Sequence, residues 1–176
     1  MISLRAFSEQ LCRFTGLTPA ALYERQRALV RMGMLPNAVI GRGHGLAATP
    51  ETVATLLIAV MATDNLTETD ERVRRLAKAR SKARCNLTGK TSFLDAFAAI
   101  LESKDLAQRV FQIEVRRPAM AAGIHFLPAG QAFGLTSATE FGRPAEDTLQ
   151  METQSRLLGG AVSMIGVRLR KAMEVD

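Results

Sequence analysis

The sequence predicts a mainly α-helical chain that ends in a small α+β part, and three observations carry that expectation. Residues 4–35 and 51–63 repeat apolar side chains at three- and four-residue steps, the spacing of a helix face packed on a core. Residues 111–127 then change to alternation, the period of a half-buried strand. Charge changes along the chain as well. Residues 1–90 carry 14 Lys/Arg against 7 Asp/Glu, whereas residues 91–176 carry 9 against 10. The net +6 of the 176-residue chain therefore resides in its first half.

Each element has its own signature. Leu4, Phe7, Leu11 and Phe14 mark a first helix over 4–14, and Gly16 ends it. Thr18-Pro19 opens a second helix, because Thr caps and Pro tolerates the first helical position, where its missing N–H is not needed. Leu22, Leu29, Val30, Met32 and Met34/Leu35 line its apolar side, with Arg25, Arg27 and Arg31 read as lying off that stripe. Gly33 loosens its end and Pro36 stops it. Ala38-Val39-Ile40 and Leu46-Ala47-Ala48 flank Gly41-Arg42-Gly43-His44-Gly45, which reads as a small hairpin with a cationic tip. Thr49-Pro50-Glu51 repeats the cap-plus-proline signature, and Val53, Leu56, Leu57, Val60 and Met61 make the following helix a core element.

Helix, turn, helix, basic hairpin and supporting helix follow one another in residues 1–63. The phrases Gly33-Met34-Leu35-Pro36, Gly41-Arg42-Gly43-His44-Gly45 and Thr49-Pro50-Glu51-Thr52-Val53-Ala54 resemble those of the winged helix-turn-helix DNA-binding domains of bacterial regulators, in a MerR-like arrangement. Leu22-Tyr23-Glu24-Arg25 stands where that family carries an Arg-Tyr-Tyr-like phrase. The resemblance implies that the second helix enters a DNA major groove while the wing meets the backbone. Thr18, Ala20, Ala21, Tyr23, Glu24 and Arg25 are then the groove candidates. Arg25 comes first among them, since a guanidinium can fork onto O6 and N7 of guanine. Arg27 and Arg31 fall nearer the backbone. Arg31 also fits a plain solvated face, and Tyr23 fits equally well packed beside the wing. Arg42 is the phosphate contact expected of the wing and His44 a neutral loop residue near it. With His125 the only other histidine, no metal site is expected.

From Arg72 to Lys90 the chain has eight Lys/Arg and no Asp/Glu. This run reads as an amphipathic basic helix over 67–90 that links two domains. Three roles are open to it: gripping DNA phosphates through Arg72, Arg75 and Lys78, forming a solvated linker, or lying on an anionic membrane. Thr88-Gly89-Lys90-Thr91 is not a phosphate-binding loop, because the glycine needed four residues ahead of the Gly-Lys pair is missing and no strand precedes it. Residues 91–176 read as a helix over 92–109, strands over 111–116 and 120–127, a long loop with room for a short strand, alternation over 148–156, and a final helix over 157–173. Gly159, Gly160 and Gly166 either weaken that last helix or let it approach another backbone closely. The domains expected are 1–66, a winged helix-turn-helix; 67–90, the basic linker helix; and 91–176, an α+β unit for dimerisation or sensing.

Cys12 and Cys85 are too far apart in sequence to suggest a metal motif and read as reduced thiols. No signal peptide or run of 18 apolar residues is present, so a soluble cytoplasmic protein without membrane contact is expected. His125 reads as a core or surface histidine rather than a base. Glu114, Glu140, Glu146, Asp147 and Glu152 have no spacing that aims two carboxylates at one point. The expectation is a sequence-specific binder of double-stranded DNA: a transcription regulator of repressor type, acting as a homodimer, with no cofactor and no enzymatic activity. Any small-molecule effector is unknown. An accessory DNA protein of a phage or mobile element is the alternative, with an enzyme behind it.

Overall fold

The computed structural model describes residues 2–37, 45–63, 69–117, 119–128, 136–142 and 152–174. Helices α1 (Leu4–Thr15), α2 (Pro19–Arg31), α3 (Pro50–Ala62), α4 (Thr69–Ala77), α5 (Phe93–Glu102) and α6 (Lys104–Arg109) precede the strands. Strands β1 (Val110–Arg117), β2 (Ala121–Phe126), β3 (Ser137–Phe141) and β4 (Thr153–Leu158) form one antiparallel sheet in the order β3-β2-β1-β4, and α7 (Gly159–Glu174) closes the chain. The fold is a mixed α+β one.

The starts of α2 and α3 follow the caps read from the sequence at Thr18 and Thr49, and Ser3 and Ser92 cap α1 and α5. Ser3, Thr18 and Ser92 each accept a hydrogen bond from the backbone N–H three residues on, and Thr49 does so within a reciprocal capping box with Thr52. Gly16 takes a left-handed conformation and ends α1, as its position implied. Helix α3 is the pivot. Val53, Leu56, Leu57 and Ile58 are all buried, and the helix touches α1, α2, α4, α5, β1 and β4. Each such side chain contributes about 1.5–3 kcal/mol relative to its exposed state. The core continues without a break from Leu4 to Leu169. Among the described residues this one cluster includes side chains on both sides of the boundaries expected at 66 and 90.

The basic segment differs most from expectation. Helix α4 stops at Ala77, and the chain folds back so that Arg80 pairs with Ser92. Ser81 N–H donates to Thr91 O, Cys85 N–H to Lys90 O and Gly89 N–H to Cys85 O. Val73, Leu76, Ala77 and Ala79 are buried, followed by Cys85 and Leu87. The burial spacing is helical at first and then alternates, so no single helix can keep all six inside. A basic linker helix over 67–90 is thus replaced by a short helix and a pinned loop.

Smaller corrections have equally local causes. The helix expected over 92–109 is two helices, since Ser103 both ends α5 through Ala99 O and caps α6 by accepting from Leu106 N–H. Alternation over 148–156 becomes β4 at Thr153–Leu158, with 148–151 outside the described residues. Helix α7 starts at Gly159, where a Cβ would collide with the Val110 carbonyl. That close approach is what the glycines offered.

Candidate functional site

Helix α2 turns Leu22, Arg25, Ala28 and Leu29 inward. Arg25 is only 6% exposed, and its guanidinium donates to Ala21 O at 3.4 Å and to Thr63 O at 3.5 Å. Thr63 is the C-cap of α3, so Arg25 places positive charge at the negative end of the central helix. It is not available to a base edge, and the base-reading role expected of it is withdrawn. The physical reason is its spacing, three residues after Leu22 and four before Leu29, on the buried stripe rather than beside it.

The remaining α2 candidates are spread around the helix. Thr18 is exposed but its hydroxyl caps the helix, and Ala21 is half-buried. Tyr23 lies under the Arg5 guanidinium, 4.7 Å from ring centroid to Cζ. Together with Gln26, Arg27, Val30, Gly45 and Leu46 they line a cleft of about 310 Å³ between α2 and the segment that returns to α3. Arg27 is exposed and paired with Glu24 at 3.0 Å, while Arg31 is exposed at the helix end. Arg42 and His44 lie outside the described residues. What is described of the expected wing is its return: Leu4 N–H donates to Leu46 O and Ala48 N–H to Ile2 O, beside a Ser3–Ala47 bridge.

Helix α4 and the loop after it carry the other cations. Arg74 Nη2 donates to Met32 O at 3.2 Å, fastening α4 to the end of α2. Arg74, Arg75, Lys78, Arg80, Lys82, Arg84 and Lys90 are all exposed, whereas Arg72 is half-buried. Glu71 is 3.8 Å from Arg75. Buried Cys85 and Leu87 leave Arg84 and Asn86 no side but the outside.

A second charged cluster occupies the sheet face turned away from the core. Register places Arg156 opposite Glu114, Glu114 opposite Gly123, and Gly123 opposite Glu140, one row across four strands. Gly123 leaves room for it: a Cβ there would sit 3.1 Å from His125 Nε2 and 3.2 Å from Glu140 Oε1. Arg116 meets Glu140 through Nη2 and lies 3.5 Å from Glu114 through Nε. His125 Nε2 is buried, without a hydrogen-bond partner among the described residues, 3.5 Å from Glu114 Oε1. Glu114, His125 and Glu140 bring ligand atoms within 4.8 Å of one another, a spacing able to hold a metal ion. Arg116 bridges the two carboxylates and Arg156 Nε lies 3.9 Å from Glu114 Oε2, so two guanidinium groups face two carboxylates within the protein.

No known protein family, curated protein or solved structure matches the chain.

Sequence reading missed this row of carboxylates. Alternation put Glu114 on the outer face of its strand, but only cross-strand register aligns it with Glu140, 26 positions later. Among the described residues no helix is long and apolar enough to cross a membrane.

Proposed function

We propose that the chain binds double-stranded DNA, with residues 1–63 acting as a winged helix-turn-helix and α2 as the helix presented to the groove. One observation carries the reading. The Arg74–Met32 bond joins α4 to the end of α2, and Arg27 and Arg31 on α2 and Arg74, Arg75 and Lys78 on and after α4 are all exposed, with Glu24 paired to Arg27 and Glu71 beside Arg75. Cations in such excess over acids attract polyanions and exchange bound counterions for phosphates. The sequence pattern of cap, turn, glycine-rich basic hairpin and second cap supports the same reading. In the cell such a protein serves as a transcription regulator of repressor type in the cytoplasm, pairing as a homodimer to double the few base contacts one helix makes.

The burial of Arg25 favours a second reading, an accessory DNA protein of a phage or mobile element that grips backbone with little sequence preference. With Arg25 inside and Arg27 tied to Glu24, α2 has few free groups for base edges. Selection from a random duplex library separates the two. Enrichment of one site built of two half-sites is the result expected of the regulator, and retention of all sequences alike would replace it with the accessory protein. Failure to retain duplex DNA at low salt would contradict both.

A further inference from the structure

Two hollows lined in part by cations lie beside the loop that replaces the expected linker. They flank the point where Gly142 N–H donates to Arg80 O at 3.0 Å. One, about 440 Å³, lies between α4 and the β1–β2 turn and is walled by Arg74, Arg75 and Lys78, with Glu71 at its edge. The other, about 390 Å³, lies between the loop and β3 and is walled by Ser81, Lys82, Arg84 and Asn86, with Glu140 on the sheet side. Gly142 lines both. Its φ of +82° and the Met120 carbonyl, 3.0 Å from where a Cβ would stand, keep this joint free of a side chain.

The loop does not wait for a partner to order it. Backbone bonds close it from Ser81 to Thr91, and Cys85 and Leu87 anchor it in the core. Self-repulsion of Lys82, Arg84 and Lys90 is thus tolerated in a fixed shape. The acids nearby are already engaged, since Glu140 is taken by Arg116 and Glu71 lies beside Arg75. A preformed surface on which cations outnumber acids among the described residues fits a regularly spaced polyanion.

Resting on the DNA-binding reading above, the geometry points to a phosphodiester backbone as the ligand of both hollows: successive phosphates of one strand sit on either side of the Arg80–Gly142 joint while α2 meets the groove. DNA contact therefore extends beyond residues 1–63 onto the edge of the α+β part, and it forms without a folding step.

The test is a salt titration of duplex binding by the full chain, read by fluorescence anisotropy on a 30-base-pair mixed-sequence DNA. Lys82→Ala/Arg84→Ala and Arg27→Ala/Arg31→Ala are compared with the unaltered chain, each with its thermal unfolding checked. Neutralising two phosphate contacts lowers the log–log salt slope by roughly 1.8, at about 0.9 per contact. The expected result for Lys82→Ala/Arg84→Ala is that loss of slope, with an equal fall in affinity for every sequence. Binding with an unchanged slope in that variant would overturn the second hollow while leaving the DNA-binding reading intact. Absence of duplex binding by the unaltered chain would overturn the reading itself. Capture of phosphatidylglycerol vesicles in place of duplex would overturn both and assign the surface to a membrane.

Discussion

The two charged clusters of this protein are built on opposite principles. On the sheet, Glu114 and Glu140 face Arg116 and Arg156 across Gly123, so each charge finds its opposite in the fold. On the ridge from Arg74 to Lys90, cations face water, and Glu71 is the acid paired among them. A balanced cluster has spent its electrostatic energy on the protein; an unbalanced one holds it for a partner. The sheet cluster is metal-like in its donors yet closed by Arg116. The ridge has no ligand-like constellation in the usual sense but remains open. The contrast is that of a structural role with a binding role, and substitution can break it.

The largest expected effect is at Glu114, whose side chain is 9% exposed. Glu114→Ala leaves Arg116, Arg156 and His125 without their shared carboxylate. Breaking a fully buried pair costs about 3–5 kcal/mol. Arg156 is 55% exposed and can rehydrate, so the loss here should be nearer about 2 kcal/mol in urea unfolding. No loss of stability would mean that the sheet cluster is not structural. Arg25→Ala comes next, at about 1–2 kcal/mol, because its bonds to Ala21 O and Thr63 O are long but its site is buried. Selection from a random duplex library should recover the same site with this variant. A changed site would return Arg25 to the groove. Gly123→Ala should cost about 1 kcal/mol, since its neighbours must give way by a few tenths of an ångström. A neutral result would show that the cluster is looser than its distances imply. Smallest is Lys82→Ala/Arg84→Ala, expected to leave unfolding free energy within about 0.5 kcal/mol while DNA affinity falls. A stability loss as large as that of Glu114→Ala would erase the distinction between the clusters.

How far sequence led depended on whether the signal was local. Thr18-Pro19 and Thr49-Pro50 mark helix starts because a cap acts on the N–H three residues away. Alternation from Phe111 to Arg116 marked β1 for the same reason. The β1–β2 hairpin and α7 were legible with it. Arg25 has the spacing of the stripe through Leu22 and Leu29, but its charge argues for exposure unless a helix end such as Thr63 receives it, and that end is 38 residues away in sequence. In the basic run the eight cations dominate the pattern, and the change in burial spacing between Ala79 and Cys85 rests on few apolar residues. The Glu114–Gly123–Glu140 row was illegible in principle, since it depends on the registers of two strand pairs set by turns whose geometry no residue spacing encodes.

The most direct measurement is hydrogen–deuterium exchange of the full chain, alone and saturated with a 30-base-pair duplex. The free protein should already show slow exchange at Ser81, Cys85 and Gly89, whose amides are bonded within the loop. With DNA, added protection should fall on residues 20–31 and 74–90, and none on the sheet around Glu114, Gly123 and Glu140. Fast exchange of the loop in the free chain, or protection confined to the sheet, would contradict the assignment of structure to the balanced cluster and binding to the unbalanced one.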